Sequence, residues 1–596
     1  MKKNFSNKYL ITTGLKKTQY TNIKDNILYL GHWCFNYNQE VEQDRECEIQ
    51  NYHWEDFKKV INDNIYLEKI YDIILNDLVL KLNNLHKVNN NKRYWEIYLN
   101  PWLHQVIFVL YDRWYSIKKA YKDYNIIDTE IINYKKLNLT PYNSQHFKQG
   151  ISGNSHEWNH FIFSEIIKFL NLPHTVVEND LNFNVHKKFQ RKTKHIVLNN
   201  SKNIKKFIKN YLLKFLNKFF KSNSALILVN YFSTYEELLF QFKLKQFFVF
   251  REDIHDYHIG VTPNDKIRQK ILLNFCNKNK DDDFLKFLNE IFIYLIPTSI
   301  IEDYNNYTKK INFKNFPRNP KFIYTTTGHY TSTKLKHYIG INNCPLYISQ
   351  HGATYGTTLF SAAEKYERKI SNKFFTWGWK SDNKDVPYVN VKNLTNKKIK
   401  NNNSGELLFI TCVVSLYPNN LFTNLFSSTW KKNCNDSLVF YKNLPNNIKQ
   451  QFLVRCSPND LEWSNEEKRW LDVDKNINFA INNKIEYHYK HCRLAIINHD
   501  GTPFLECMSY DYPVIQILKN EYEPLRSSAK EVYNDLKKAK IFFTDYDDAR
   551  NHIISIWNDI DSWWNNEETI KAKKKYIENY SRNSKSYLDE FIENIN

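Results

Sequence analysis

The sequence predicts an α/β protein with two doubly wound parallel sheets that face each other across a cleft, with helical insertions and a helical C-terminus. Short apolar runs typical of buried strands alternate with helix-compatible stretches over two separate parts of the chain. A polar stretch rich in Asn and Lys, residues 380–405, lies between these two parts. Glycine is rare, at 12 of 596 residues, yet five glycines fall between positions 328 and 378. The backbone there is expected to bend sharply or to approach a ligand closely.

This alternation predicts three parts of the chain. Residues 1–385 form an N-terminal α/β domain with helical insertions, residues 386–405 a linker, and residues 406–596 a C-terminal α/β domain that ends in helices. Strands of the first domain are predicted at residues 8–13, 26–31, 225–230, 322–327, 345–348 and 374–379. Strands of the second domain are predicted at residues 407–414, 451–458, 494–498 and 513–517.

The composition narrows the class of protein. Hydrophobic residues make up 42% of the chain and aromatic residues 16%, which indicates a globular protein. The net charge of +20 suits nucleic acid, an anionic membrane or phosphorylated substrates, although a general bias toward Lys accounts for part of it. The Lys-rich segment 185–223 is predicted as a basic surface insertion, with a lipid or phosphate patch as the alternative. No nucleic-acid motif is present, so no nucleic-acid partner is expected.

The cysteines and the apolar runs indicate the compartment. Nine scattered cysteines show no CxxC pair and no zinc-ligand spacing, which favours a reducing compartment. The chain starts Met1-Lys2-Lys3 without the apolar core of a signal peptide, and no uncharged apolar run approaches the ~18 residues of a membrane span. We therefore expect a cytoplasmic protein, and its charge is compatible with peripheral contact with the inner membrane surface.

One loop stands out in the first domain. The apolar run 345–348 leads into residues 349–356, which contain His351 between a predicted strand and a helix-compatible stretch that begins at Leu359. In an α/β protein this order places His351 at the carboxyl end of a strand, where ligands and anions in particular bind. A capping or core histidine is the alternative interpretation.

The second domain has loops of the same kind. Gly501 and Thr502 follow a predicted strand and open a helix, so free backbone amides, a hydroxyl and the helix dipole can hold phosphate oxygens there. Glu506 lies one helical turn further on and can accept hydrogen bonds from ribose hydroxyls. Arg455 and Ser457 sit at the end of another strand, where they can clamp a phosphate. A solvent-facing glutamate and a surface ion pair are the corresponding structural alternatives.

These motifs, in this order, carry a resemblance to known families. Gln350-His351-Gly352, Arg455-Cys456-Ser457-Pro458 and Asp500-Gly501-Thr502-Pro503-Phe504-Leu505-Glu506 resemble the motifs of GT-B transferases of surface-polymer synthesis, namely CDP-glycerol glycerophosphotransferases and capsule Kdo transferases. Over nearly its full length the chain is more similar to a family of surface-carbohydrate transferases, through residues 10–13, 30–34, 350–356, 376–379 and 501–506. One departure is that Arg-Cys-Ser-Pro replaces Arg-Pro-His-Pro, so that either His499 takes over or a different donor is used.

The resemblance implies a GT-B-like pair of Rossmann-like domains and an inverting, metal-independent glycosyltransferase. Its substrates would be a nucleotide sugar, with CMP-linked sugars among the candidates, and a glycan or lipid-linked acceptor of surface-polysaccharide synthesis, without a cofactor. His351 would be the general base, with His32, His156 and Glu157 as further candidates. Gln350, Gly352 and Tyr355 would form the acceptor-side loop, and the nucleotide would bind at the residues of the second domain: Arg455, Ser457, His499, Gly501, Thr502 and Glu506.

Two alternatives stay open at this point. The first is transfer of an alditol phosphate, such as a glycerophosphate unit, in place of a sugar. The second is a non-catalytic protein whose basic surface binds a polyanion, with a salt-sensitive affinity.

Overall fold

The computed structural model describes residues 6–20, 26–35, 48–177, 223–246, 261–275, 281–313, 316–394, 397–419, 427–457, 463–481, 483–519 and 524–595. The described residues form three parallel sheets with helices packed against them. The Lys-rich segment predicted at 185–223 lies outside these residues, apart from Asn223. None of the described helices combines the length and apolar character that crossing a membrane requires.

Sheet 1 contains five parallel strands in the order β3-β2-β1-β4-β5. Its longest helix, α1, begins where the Asp56 carboxylate accepts the backbone N–H groups of Lys58 and Lys59. One face of α1 is buried because apolar residues recur every three or four positions, as at Leu67 and Ile70. The strands are β1 Asn7–Ile11, β2 Ile27–Tyr29, β3 Glu48–Ile49, β4 Asn125–Ile132 and β5 Thr175–Val177. The helices are α1 Phe57–His86, α2 Lys92–Leu99, α3 Trp102–Asp123, α4 Ser144–His146 and α5 His156–Phe169, with a π-helical turn at Phe147–Ile151.

Sheet 2 carries the loop of His351. Its five parallel strands follow one another in sequence order across the sheet, from β6 to β10. The strands are β6 Leu226–Ile227, β7 Ile323–Thr325, β8 Leu346–Ser349, β9 Lys373–Thr376 and β10 Asp385–Pro387. The helices in this part of the chain are α6 Thr234–Lys243, α7 Asp265–Arg268, α8 Asp283–Leu295, α9 Thr298–Ile301, α10 Tyr304–Lys310, α11 Gly328–Thr331, α12 Thr333–Ile341 and α13 Ala362–Ile370. Of these, α8, α9 and α10 bury their apolar residues in the core of sheet 1.

Sheet 3 has six parallel strands in the order β13-β12-β11-β14-β15-β16. The strands are β11 Glu406–Ile410, β12 Phe452–Arg455, β13 Asn478–Phe479, β14 Cys492–Ile497, β15 Val514–Ile517 and β16 Phe542–Phe543. The helices are α14 Ser427–Lys442, α15 Asn446–Lys449, α16 Glu466–Val473, α17 Ile485–His491, α18 Thr502–Ser509, α19 Ser527–Lys538, α20 Tyr546–Ile556, α21 Ile560–Trp564, α22 Glu567–Tyr580 and α23 Tyr587–Ile595.

The C-terminal helix joins the second and third sheets. In α23, the ring of Phe591 stacks on Phe375 of β9, with centroids 4.6 Å apart, and meets Tyr324 of β7 edge-on at 5.0 Å. The chain thus returns from the sheet 3 region to pack on sheet 2, and the buried residues of both sheets form one continuous hydrophobic core. Sheet 1 has its own core, which also takes in Tyr417 from the loop after β11.

The predicted fold class is confirmed, because the chain is a parallel α/β protein with helical insertions and a helical C-terminus. Two details differ. Residues 1–385 contain two separate sheets, and the strand order reverses, as in a doubly wound sheet, in sheets 1 and 3 but not in sheet 2. The domain boundaries stay a prediction, although the predicted linker starts inside β10 and buries Tyr388 and Val389.

Candidate functional site

The loop after β8 is fixed by a buried glutamine. Gln350 is 1% exposed; its Oε1 accepts the backbone N–H of Trp377 at 2.9 Å and the indole N–H of Trp379 at 2.8 Å. Its Nε2 donates to the carbonyl of Gly352 at 2.9 Å. The amide is therefore used to tie β8 to the residues after β9, and Gln350 shapes the loop without facing the cleft.

Of two glycine positions in this loop, one cannot take a larger residue and the other can. Gly356 has φ +74°, and a Cβ there would lie 2.5 Å from the ring of Trp379. Its N–H donates to Oε2 of Glu364 at 2.9 Å, so both conformation and space demand glycine. At Gly352 a Cβ would meet only Tyr355, at an ordinary 3.4 Å, so packing alone does not explain that glycine.

His351 contacts a buried carboxyl group. Its Nδ1 lies 3.3 Å from Oε1 of Glu367, on α13, and the same oxygen lies 3.0 Å from Nε2 of His329, which follows β7. The hydroxyl of Tyr355 lies 3.3 Å from Nδ1 of His351. Glu367 and His329 are fully buried, whereas 22% of the His351 side chain is exposed. The imidazole is therefore held on its inner side and open on one outer side.

The surroundings keep this histidine neutral. Burial, followed by the charges of Lys392 and Lys148, lowers the pKa of His351 to about 3. Burial also raises the pKa of Glu367 well above its usual range. Titratable groups with shifted pKa values are typical of functional sites. The sequence led us to expect an ordinary imidazole; with its lowered pKa, His351 is neutral but accepts a proton readily only when bound substrate raises that pKa again.

Two lysines enter the cleft beside His351. Lys148, from the π-helical turn, is accessible to solvent, and desolvation lowers its pKa against the opposing charge of Glu367. Burial likewise lowers the pKa of Lys392, against the opposing charge of Glu506. The ammonium of Lys392 also lies 5.2 Å from the ring centroid of Tyr231. Neither lysine was predicted.

Lys392 connects the two sides of the cleft. It lies close enough to His351, on sheet 2, to lower the pKa of that imidazole, and close enough to Glu506, on α18, to oppose the rise in the pKa of that carboxyl. Burial nevertheless raises the pKa of Glu506 to about 7. Lys392 therefore lies near both the predicted base, on sheet 2, and the predicted ribose-binding carboxylate, on α18.

The loop before α18 lies at the point where the strand order of sheet 3 reverses, between β11 and β14, which is where such sheets bind ligands. Gly501 precedes Thr502 at the start of α18, and a Cβ on it would lie 2.5 Å from the His499 ring. Burial lowers the pKa of His499 to about 4 and raises that of Asp500 to about 6. The loop thus combines a close backbone approach with partly exposed polar groups.

Arg455 lies further along the same sheet edge. It is the last residue of β12 and pairs with Ile410, which in turn pairs with Ile497 of β14. Two strand spacings place its backbone about 10 Å from that of Ile497. Its Nη2 donates to the carbonyl of Asn483 at 3.1 Å. Ser457 follows two residues later, so the edge position is as predicted, while phosphate binding there stays a prediction.

The other predicted bases lie at sheet 1. His32 follows β2, and Glu157 accepts the Ser155 hydroxyl at 3.0 Å in the first turn of α5. Nδ1 of the neighbouring His156 lies 2.7 Å from the hydroxyl of Tyr417, on the loop after β11. That loop packs against the edge of sheet 1, and within the described chain no hydrogen bond or ion pair links His32 or Glu157 to His351.

The sequence reasoning missed the groups that surround His351. His329 could have been found, because it follows a glycine at the end of the strand next to β8. Glu367 resembles any charged helix residue, and its burial depends on how α13 packs. Lys148 and Lys392 come from a π-helical turn and a polar connection, which carry no motif. No group of three or more His, Cys, Asp or Glu side chains in the described parts is arranged to hold a metal ion.

Comparison with known proteins identifies the family. The model of the LIC12162 family transferase matches residues 8–595. The chain belongs to this transferase family. The predicted resemblance to a family of transferases is thereby confirmed. No curated protein matches the sequence.

Several solved structures show remote similarity. They include the wall teichoic acid polymerase TagF with CDPG, at 11% identity over 46% of this chain and 71% of that chain with a TM-score of 0.26. S. aureus MnaA with UDP matches at 10% identity over 46% and 73% with a TM-score of 0.29. Acinetobacter baumannii MurG matches at 9% identity over 46% and 74% with a TM-score of 0.28. Similarity this weak carries no argument about the site.

Proposed function

We propose that this transferase is a glycosyltransferase that moves a sugar from a nucleotide-activated donor to a hydroxyl of a glycan or lipid-linked acceptor. The observation that carries the proposal is the position of Lys392 between His351 and Glu506. This position supports a neutral base on the sheet 2 side of the lysine and a nucleotide-binding loop on the sheet 3 side. Lys392 and Lys148 would stabilise the negative charge that develops on a departing phosphate.

The donor side is the loop and first turn of α18. The backbone at Gly501 and Thr502 would hold the phosphate oxygens at the positive end of the helix. Glu506 would hydrogen-bond the ribose hydroxyls, one turn further on. Arg455 and Ser457, on the neighbouring part of the sheet edge, would contact the remaining part of the nucleotide. Acceptor binding falls to the loop that carries His351 and Gly352.

The reaction follows from these positions. The acceptor hydroxyl attacks the anomeric carbon from the side opposite the nucleotide, and its proton passes to Nε2 of His351. The bond between the anomeric carbon and the phosphate oxygen breaks, and its electron pair leaves with the nucleotide, beside Lys148 and Lys392. This course inverts the anomeric configuration. Oε1 of Glu367 would accept the Nδ1–H of His351 and so orient the imidazole.

Metal independence and the nature of the acceptor are part of the same proposal. With Lys148 and Lys392 at the leaving phosphate, the side chains supply the charge that metal-independent transfer needs. The acceptor would belong to a surface polysaccharide assembled at the cytoplasmic face of a membrane, which the net charge of +20 suits.

Nucleotide binding tests this function. We would measure the thermal unfolding of wild type, Glu506→Ala and Glu578→Ala with CMP, CDP, UDP, GDP and TDP. Glu578 is an exposed carboxylate on α22 and serves as the matched control. A nucleotide at ~100 times its Kd should add about 2.7 kcal/mol to the free energy of unfolding. We expect one nucleotide to stabilise wild type and Glu578→Ala but not Glu506→Ala. If no nucleotide stabilises wild type, the proposal is wrong.

Turnover and polyanion-binding assays separate the alternatives. Release of a nucleoside diphosphate or monophosphate from a nucleotide sugar indicates sugar transfer, whereas turnover of CDP-glycerol or CDP-ribitol alone indicates alditol-phosphate transfer. Binding of heparin or polyphosphate that weakens steeply with salt, without any nucleotide effect, indicates the non-catalytic polyanion binder.

A further inference from the structure

A cavity of about 520 Å³ lies outside the cleft. It is bounded by α1, α3, α13, the end of the loop after β8, and Arg526 just before α19. Its volume is within the range of small-molecule sites. On α13, Lys365 and Arg368 line this cavity, whereas Glu367 is buried against His351. The cavity and the cleft are therefore on different faces of one helix.

The cavity walls carry an excess of positive charge. Five basic side chains and three carboxylates line it, namely Lys365, Arg368, Lys369, Lys384 and Arg526 against Glu68, Glu364 and Asp382. Most of these cations are paired with carboxylates, as Lys365 is with Glu68 at 2.9 Å. Lys384 forms no ion pair with any described residue and reaches only the carbonyl of Arg368, at 3.4 Å.

Arg526 has hydrogen-bond donors to spare. Its Nη2 donates to Oε1 of Glu364 at 2.6 Å and its Nε to the carbonyl of Thr358 at 2.8 Å. A guanidinium has five N–H donors, and no acceptor for Nη1 lies among the described residues. With 20% of its side chain exposed, Arg526 is anchored at one edge and presents unused donors, which suits an anion that arrives from the cavity.

Part of the remaining wall is apolar. Phe108 is buried, with the His104 ring stacked on it at a centroid distance of 4.3 Å. Leu359, at the end of the loop after β8, is 42% exposed, and Phe360 lies next to it. Rings and aliphatic groups of this kind pack against the apolar face of a sugar ring, while the charged groups can bind hydroxyls and an anionic substituent.

From these features we propose that the cavity is a second binding site, for a saccharide that bears a phosphate or carboxylate group. Arg526 and Lys384 bind the anionic group, and Leu359 and Phe360 pack against the ring. The choice of a saccharide rests on the proposed glycosyltransferase function, whereas the preference for an anion rests on the cavity alone. The site holds a sugar unit away from the reacting bond.

Binding to the purified full chain tests this site. The probes are glucose 6-phosphate, glucuronate, glucose and inorganic phosphate, titrated by calorimetry into wild type, Lys384→Glu, Lys380→Glu and Glu506→Ala. Lys380 is an exposed lysine of the same surface that does not line the cavity, so it controls for general charge. Comparison of the two anionic sugars shows whether a phosphate or a carboxylate is preferred.

We expect at least one anionic sugar to bind wild type more tightly than glucose or inorganic phosphate. Lys384→Glu should weaken it by about tenfold or more, while Lys380→Glu and Glu506→Ala leave it within about twofold. Nucleotide binding should show the opposite pattern and be lost only in Glu506→Ala, so failure of the cleft and failure of the cavity are distinguishable.

Four outcomes would overturn the proposal. These are no binding of either anionic sugar, equal weakening by the two lysine substitutions, loss of sugar binding in Glu506→Ala, and inorganic phosphate binding as tightly as the sugar. The last of these would leave an anion site that does not recognise a saccharide.

Discussion

Replacing Glu367 by glutamine removes the carboxyl group that His351 and His329 share and keeps the size of the side chain. In wild type, Oε1 of Glu367 lies 3.3 Å from Nδ1 of His351 and 3.0 Å from Nε2 of His329. If His351 becomes an imidazolium during the reaction, a hydrogen bond from its Nδ1–H to this carboxyl stabilises the transition state.

The energy of this hydrogen bond sets the size of the expected change in kcat. A hydrogen bond to a charged partner contributes about 1.5–3 kcal/mol, and each 1.36 kcal/mol is about tenfold in rate. Glu367→Gln should therefore lower kcat by about 10- to 100-fold. The KM of both substrates should stay within about twofold, because Glu367 is fully buried and cannot contact them. A fall in kcat without a change in KM would show that Glu367 positions His351 and does not contact the substrates.

The assay measures steady-state release of nucleotide, with acceptor present, over a range of pH. The donor is a nucleotide sugar that carries the nucleotide identified by thermal unfolding. Glu364→Gln is the control, since this carboxylate is also buried on α13 but pairs with Arg526 and Arg368. It should lower stability without changing the pH dependence of kcat. Glu367 has no such role if Glu367→Gln retains wild-type kcat, or if only its KM changes.

Further predictions concern Glu506 and the glycines of the loop after β8. Because burial raises the pKa of Glu506 to about 7, the folded state keeps a proton that the unfolded chain loses above its ordinary pKa of about 4.5. The contribution of this group to the free energy of unfolding thus falls as pH rises from about 4.5 through 7, and denaturation at pH 5 and pH 8 should show Glu506→Gln gaining stability relative to wild type at the higher pH. Nucleotide affinity of wild type should rise over the same interval, as the carboxylate forms, and be flat in Glu506→Gln; equal pH dependence in both proteins would contradict this. Gly356→Ala should lower the free energy of unfolding by about 2–4 kcal/mol in urea denaturation, from the positive φ and the contact with Trp379. The matched change Gly352→Ala should cost less than about 1 kcal/mol, and a similar loss in the two variants would count against the described loop.

Much of the fold could be predicted from local patterns. Strands such as β8 and β14 are short apolar runs followed by polar loop residues, so they are visible in sequence. Strand β4 was missed because Asp128 and Glu130 interrupt its apolar pattern and a long helix precedes it. The division of the first 385 residues into two sheets depends on packing between distant segments. The helix-compatible stretch was predicted to begin at Leu359, whereas α13 begins at Ala362 because the Ser361 side chain caps it.

Some residues of the candidate site could also be predicted from the sequence, and others could not. His351 and Glu506 were found because they belong to motifs at strand ends, whose position follows from parallel topology. Glu367 and Lys392, which lie near His351, could not be found by motif. Glu367 is a buried acid on a helix with many exposed charges, and Lys392 reaches the cleft from an irregular connection. Tyr355, predicted on the acceptor side, is 3% exposed and supports His351 from within.

We propose that His351 and Glu506 act on one donor and one acceptor in a single reaction. Turnover of a panel of nucleotide sugars by wild type and His351→Ala, with nucleotide affinity measured in parallel, tests this pairing. Wild type should turn over one donor. In His351→Ala, kcat should fall by about 10²- to 10⁴-fold, the usual contribution of a general base, while nucleotide affinity stays within about twofold. If wild type is active and His351→Ala keeps the wild-type rate, His351 is not the base.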